Sequence, residues 1–326
     1  MKAQLERHPP PFFAINYVVG LQQPEKVLQR WLPNNPCARA KRNIAPSTVY
    51  SRVDPSGQPG RRQPGFGAFT LQCSGQKRML SDIIDIPSGS LISLVGAGGK
   101  TTTMYTLAAE LAAKSMRVVT TTTTNLYVPR QSETDTLIIS AETPTLLKMV
   151  NSAWKQYQRI TVAAKAIGEG KINGLQLDQP YELLIRSGAD VVIVEADGAR
   201  RSMIKAPAEH EPVVPPQTNI ALLLMSAEVM NQPLSAEIAH RPERIAAVLA
   251  INLGDVLTPR HVARLMTNEQ GAMKSIPETA NVHLLLTHVT EKNTAMTREV
   301  AELVQSSGRG IKVLCSTRPG QWSKAL

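Results

Sequence analysis

Leu91-Ile92-Ser93-Leu94-Val95-Gly96-Ala97-Gly98-Gly99-Lys100-Thr101-Thr102-Thr103 joins an apolar run to a glycine-rich turn, and the turn to a helical pattern. Strand, glycines, lysine and threonine in that order spell a phosphate-binding loop. Glycine removes the Cβ that would hold backbone N–H groups away from an anion. A helix starting near Lys100 points the positive end of its dipole at the same anion. In this reading Gly96, Ala97, Gly98, Gly99, Lys100, Thr101 and Thr102 form the nucleotide seat. Lys100 reaches the β- and γ-phosphates, and the Thr101 hydroxyl binds Mg2+. The full G-x-x-x-x-G-K-[ST] pattern asks for glycine at position 94, where the chain has Leu94. What stands is the shorter G-x-x-G-K-T-T, the compact form that ATP-dependent carboxylate–amine ligases also carry.

The segment from Ile83 onward alternates strands and helices. Leu91–Val95 reads as a buried strand. Residues 100–115 read as a helix, with Met104, Leu107, Ala108 and Leu111 at i, i+3, i+4, i+7 spacing. Strands follow at 117–121, 137–140, 159–164, 191–194, 219–225, 282–286 and 311–314. Helices are expected at 143–157, 181–186, from 242 to 250, 258–266 and 294–305, with a loop at 168–171. This order predicts an α/β fold of phosphate-loop type, a mostly parallel, doubly wound sheet with flanking helices. Residues 81–326 would form that nucleotide-binding domain, with a helical insert near 234–275 as a cap over the sheet edge.

Residues 1–80 differ from the rest. They hold all four phenylalanines, ten of the 23 prolines, and 12 Lys/Arg against three Asp/Glu. Nine of the ten net positive charges of the chain therefore lie there, and a basic surface for nucleic acid is not expected on the nucleotide domain. The composition fits a disordered basic leader, or a mis-assigned start with the protein beginning at Met79. Asn16–Gly20 is its one short strand candidate. No apolar run approaches the ~18 residues of a membrane helix. Cys37, Cys73 and Cys315 have neither metal nor disulfide spacing, which suits a cytoplasmic protein.

A second stretch completes the nucleotide reading. Val191-Val192-Ile193-Val194 is continuous and apolar, as in a strand buried on both faces, and Glu195 and Asp197 stand at its carboxyl end. Ligands of doubly wound sheets bind at that end, and phosphate-loop proteins place a Mg2+-holding carboxylate there. Asp197 or Glu195 is assigned to the metal, the other to water or substrate. Lys205-Ala206-Pro207-Ala208-Glu209-His210-Glu211-Pro212 is too rich in proline for a helix. With its Lys, His210 and two carboxylates, such a loop at the carboxyl edge of the sheet could hold substrate or supply a general base. Arg241, ahead of the helix that Pro242 opens, is a candidate phosphate or substrate ligand.

Together these runs resemble the YqeC-type family, putative selenium cofactor biosynthesis or selenium-dependent hydroxylase accessory proteins. The resemblance rests on Val95–Thr102, Thr120–Thr124, Val194–Gly198, Lys205–Pro212 and His240–Glu243, in that order. It covers about residues 80–315. It implies a cytoplasmic nucleotide-binding protein that helps mature selenium-dependent molybdenum hydroxylases, its partner being such a hydroxylase or its cofactor. Glu195, His210 and Arg241 would be the catalytic side, Thr101 and Asp197 the metal side. Leu285–Thr290 lacks the Asn-Lys and Asp of a guanine-binding motif, which favours ATP over GTP. Two other readings stay open: a nucleotide switch that chaperones a metalloenzyme without catalysis, and a Mur-like ligase.

Overall fold

The computed structural model describes residues 17–19 and 78–326. The expectations for the leader lie outside the described residues, except for β1 (Tyr17–Val19), a strand where one was anticipated. The main sheet has ten strands in the order β1-β5-β6-β3-β9-β2-β11-β13-β14-β15. At its centre lie β3 (Val118–Thr122), β9 (Val191–Glu195), β2 (Ser90–Gly96), β11 (Ile220–Ser226) and β13 (Asn281–Thr287). Outward of these are β5 (Thr136–Ile139), β6 (Arg159–Ala163), β14 (Lys312–Arg318) and β15 (Gln321–Lys324). Every pairing is parallel except β14–β15. The fold is thus the expected mostly parallel, doubly wound α/β sheet.

Side-chain alternation explains why both faces are covered. Val95, Val119, Val192, Val194, Leu223 and Leu284 enter one core. Leu94, Val118, Val191, Ile193, Leu222 and Leu285 enter the other. The second core is closed by α1 (Lys100–Ala113) through Met104, Leu107 and Leu111. Three threonines near its start each cost up to ~0.7 kcal/mol of helix propensity. Burying each of those three apolar side chains contributes ~1.5–3 kcal/mol, so packing on the sheet decides the helix. The first core takes α2 (Thr143–Ala153), α3 (Gln179–Arg186), α4 (Pro242–Leu249), α5 (Pro259–Thr267) and α6 (Thr294–Ser306). Ile245, Leu249, Val262 and Leu265, from the stretch expected to cap the sheet edge, pack in this same core beside the sheet.

The loop expected at 168–171 is present as the turn of a hairpin between β7 (Lys165–Ile167) and β8 (Lys171–Asn173), and with β4 (Asn125–Tyr127) these unforeseen strands form a small antiparallel sheet. Two local expectations need correction. The helix foreseen to residue 157 ends at Ala153. The last strand continues to Arg318 and folds back as β15. The parallel register sets Leu94 of β2 opposite Glu195 of β9, and Gly96 opposite Leu224 of β11. The carboxyl ends of β2, β9 and β11 therefore meet at one edge of the sheet.

Candidate functional site

The glycine loop crosses that edge and is fastened to it. Gly96 N–H donates to the Asp197 carboxylate at 3.1 Å, Ala97 N–H to Leu224 O at 2.9 Å, and Gly98 N–H to Ser202 O at 3.0 Å. Thr287 Oγ1, from the end of β13, donates to Gly98 O at 2.7 Å. A Cβ on Gly96 would lie 2.3 Å from Leu224 O, and one on Gly98 2.4 Å from Ser226 N. These two glycines thus allow close approach of backbone to backbone, in addition to their positive φ of 99° and 75°. The N–H groups of Gly96, Ala97 and Gly98 thus face protein acceptors. Those of Lys100, Thr101 and Thr102 open the helix, where no i−4 carbonyl exists to receive them. They form the anion-facing end of α1.

Lys100 folds back over the loop. Its Nζ donates to Gly96 O at 2.6 Å and lies 3.1 Å from Asp197 Oδ1. The latter contact is an ion pair whose angle makes no hydrogen bond, so Oδ1 lacks a hydrogen-bond donor among the described residues. Asp197 Oδ2 faces Lys205 Nζ at 2.9 Å. Lys205 also donates to Glu211 Oε2 at 2.8 Å and to Gly198 O at 2.6 Å. Glu211 in turn takes both guanidinium nitrogens of Arg241, at 2.6 and 3.2 Å. Five charges of alternating sign run in line: Lys100, Asp197, Lys205, Glu211, Arg241. The Lys205 side chain is 1% exposed and that of Asp197 2%, whereas Arg241 at the far end is 29% exposed. Water screens the inner pairs little, so each carboxylate depends on its cations.

Local structure sets this line. β10 (Ile204–Lys205) pairs in parallel with β12 (Ala239–His240), placing Lys205 opposite His240 one residue before Arg241. Arg241 itself has φ 60°, a left-handed turn that starts α4. Arg244 Nε donates to Pro207 O at 2.9 Å, and Lys274 Nζ to Ala208 O and Glu209 O at 2.6 and 2.8 Å, so the proline-rich segment is held from two sides. Burial pushes the Glu211 carboxyl up, but the hydrogen bonds from Arg241 and Lys205 and their charges outweigh it and hold it at about 2. Burial lowers the half-buried His240, and the positive charges of Arg241 and Lys205 lower it further.

Glu195 lies beside this line, in the field of Lys100, Asp197 and Lys205, but makes its hydrogen bond elsewhere. Thr101 Oγ1 donates to its Oε2 at 2.7 Å, and burial raises its carboxyl above the ordinary value against the pull of Lys100. Its backbone carbonyl accepts Thr122 Oγ1 at 2.7 Å and Thr123 N–H at 3.3 Å, which gives the threonine run a bracing role. Thr101 is beside Glu195, while Asp197 is enclosed by two ammonium groups, a poor setting for a cation. Thr101 and Glu195 supply hard oxygen donors suited to Mg2+, which takes one or two protein ligands and the rest from phosphates and water. The described residues contain no cluster of three or more His, Cys, Asp or Glu that would hold a metal unaided.

The structure thus gathers Gly96–Thr102, Glu195 and Asp197, and joins Arg241 to them through Lys205 and Glu211. His210 is exposed and takes no part in the network. Lys205 and Glu211 were missed as individual site residues. Their signal was a lysine and a glutamate six apart in a segment whose prolines forbid a solvated helix.

A fastened glycine loop at the head of a helix, with acidic residues on the adjacent strand, fits a nucleotide-binding protein of the phosphate-loop class. The model of the family described as YqeC protein matches residues 92–243, from the first strand of the site to α4. The chain is 29% identical over 195 residues to the Escherichia coli (strain K12) protein described as Uncharacterized protein YqeC, covering 58% of this chain and 72% of the relative. Both matches support the resemblance to the YqeC-type family over those residues. Among solved structures it is similar to the Signal Recognition Particle 54 kDa protein from Aeropyrum pernix K1 in complex with GDP (13% identity, TM-score 0.35, 73% of this chain and 44% of that one). It is also similar to FtsY from Mycoplasma mycoides (10% identity, TM-score 0.30, 72% and 63%). The chain therefore spans less than two thirds of either structure's length. Among the described residues, no helix is long and apolar enough to cross a membrane.

Proposed function

We propose that this protein is a Mg-ATP-dependent accessory factor acting in the cytoplasm in the maturation of selenium-dependent molybdenum hydroxylases, in the biosynthesis or insertion of their selenium cofactor. The client and the selenium chemistry follow from the resemblance carried by Lys205–Pro212 and His240–Glu243. Nucleotide dependence is supported by one observation, the buried line of charges from Lys100 to Arg241. A polyphosphate at the head of α1 would compete with Asp197 for Lys100. Asp197 would then rest on Lys205, whose other partner, Glu211, holds Arg241. Occupancy of the loop is in this way felt at a half-exposed arginine four side chains away. Thr101 and Glu195 would hold Mg2+, which neutralises the phosphate charge and orients the γ-phosphate.

A second reading, a switch that grips its client without turning nucleotide over, is favoured by the position of His210, whose exposure leaves no general base beside the loop other than Glu195. ATP hydrolysis by Lys100→Ala tests the first reading: turnover should be abolished, and unchanged turnover refutes the assignment. Capture of a hydroxylase client in the ADP and ATP states separates the two. A switch requires different capture in the two states and no hydrolysis.

A further inference from the structure

A cleft of about 510 Å3, its open mouth included, runs beside the glycine loop. Gly98, Gly99 and Thr102 line one side of it, and His288 and Ser316–Gly320, at the ends of β13 and β14, line the other. In the sheet, β13 and β14 lie to one side of β2, and β9 with Glu195 to the other. The cleft is therefore on the opposite flank of the loop from the Thr101–Glu195 pair.

His288 is fixed in this cleft by both backbone and ring. Its φ of 55° is left-handed, a conformation that a residue with a side chain keeps only where its surroundings impose it, and one that gathers at ligand sites. Here buried Asn293 donates from Nδ2 to His288 O at 3.2 Å and accepts Thr290 N–H at 2.7 Å. The ring Nδ1 lies 3.0 Å from Thr287 Oγ1, which also faces Gly98 O at 2.7 Å and Met225 O at 3.2 Å. A hydroxyl has one proton to give. Two carbonyl oxygens would be repelled by a bare lone pair at those distances, so the proton points to them and Oγ1 accepts at its third contact. Nδ1 thus carries the hydrogen, and Nε2 is the bare nitrogen of the neutral ring. His288 is exposed, and no described residue donates to Nε2.

We propose that this cleft receives the nucleoside half of the bound nucleotide and that His288 Nε2 accepts a hydrogen bond from a ribose hydroxyl. The proposal rests on the nucleotide reading above and adds how the sugar is recognised. Mg2+ on Thr101 and Glu195 would draw the β- and γ-phosphates to that flank, so the nucleotide leaves the loop past Thr102 on the other. His288 stands two hydrogen bonds from Gly98, where the sugar follows the phosphates, and the rest of the wall is left to the base. A sugar hydroxyl brings the proton that a bare imidazole nitrogen lacks. A phosphate oxygen brings none, so the neutral ring is matched to the sugar and not to the phosphates.

The full chain is titrated calorimetrically at about pH 8, on the basic side of the ordinary imidazole range, with Mg-ATP, its 2′-deoxy and 3′-deoxy analogues and Mg-tripolyphosphate. One of the two analogues should bind about three- to tenfold more weakly than Mg-ATP, the range of one hydrogen bond. His288→Gly, which takes the left-handed turn without strain, should lower Mg-ATP affinity by the same factor and abolish the difference between the nucleotides. Tripolyphosphate should bind both proteins alike. Equal affinity for all three nucleotides in the unsubstituted protein, or sugar discrimination that survives in His288→Gly, overturns the sugar assignment while leaving nucleotide binding intact. Failure of every ligand to bind overturns both. Nitrogen NMR of the isotope-labelled, unsubstituted protein needs no variant: Nδ1 of His288 should carry the proton, and Nε2 should shift with Mg-ATP but not with tripolyphosphate. A proton on Nε2 in the free protein, or an Nε2 indifferent to Mg-ATP, refutes the proposal even should His288→Gly not fold.

Discussion

Lys205 is the place to test whether the line of charges behaves as one unit. Lys205→Met keeps the length of the stem and removes the ammonium group. Three acceptors then lose it: Gly198 O at 2.6 Å, Glu211 Oε2 at 2.8 Å and Asp197 Oδ2 at 2.9 Å. Breaking a buried pair by deleting one partner costs ~3–5 kcal/mol, because the other charge is left without compensation. Here Asp197 keeps Lys100 and Glu211 keeps Arg241, so the lower end applies, ~3 kcal/mol. At ~2–4 °C per kcal/mol for a domain of this size, the melting temperature should fall by ~6–12 °C. Nucleotide affinity should also fall, although Lys205 touches no expected ligand atom: once phosphate draws Lys100 away, Asp197 has no cation left. Loss of ~1.4 kcal/mol at that step is tenfold in Kd for Mg-ATP. The decisive arm is the double variant Lys205→Met/Asp197→Asn, which removes the stranded charge. It should regain more than half of the lost melting temperature, measured by calorimetry with both single variants as the other corners of the cycle. A double variant no more stable than the sum of the two single losses predicts would show that the two residues do not couple, and would refute the reasoning.

In the folded protein the Glu211 carboxyl is held at about 2, below its ordinary value of 4.5. Its contribution to stability is therefore complete above about pH 4.5 and lost as the pH falls toward 2. Glu211→Gln should flatten that part of the stability profile in urea titrations from pH 5 downward, and an unaltered acid limb would count against the ion pairs with Arg241 and Lys205. Gly98→Ala should destabilise far more than Gly99→Ala. A Cβ at 98 meets Ser226 N at 2.4 Å, whereas at 99 its nearest neighbour is the Thr287 methyl at 3.9 Å, leaving mainly the ~1–3 kcal/mol of left-handed strain. Equal losses of melting temperature in the two variants would contradict the loop anchorage.

The central fold was open to reading because its signals are local and repeated. Val191–Val194 and Leu222–Leu224 are apolar on successive residues, which only a strand covered on both faces tolerates. β4, β7 and β8 escaped because three residues with exposed alternate positions give no period to detect. β15 escaped because its pairing with β14 is a matter of the turn at Pro319–Gly320. The site was less legible. The Lys205–Pro212 run drew attention to His210, but the chain turns His210 out to solvent and its neighbour Glu211 into the charge line. The partners of Asp197 lie 97 residues before it and eight after it, a pairing no spacing rule announces.

The line of charges has an odd number of members and begins and ends with a cation. Left alone it carries one surplus positive charge, most of it away from water. Remove Lys100 to an incoming anion and the four that remain, Asp197, Lys205, Glu211 and Arg241, are electrically neutral as a set. An arriving phosphate would thus find a counter-charge already desolvated, and what it left behind would need no ion from solution to balance it. An even-numbered line would have lacked that property, since withdrawing one end would leave a net charge in the interior.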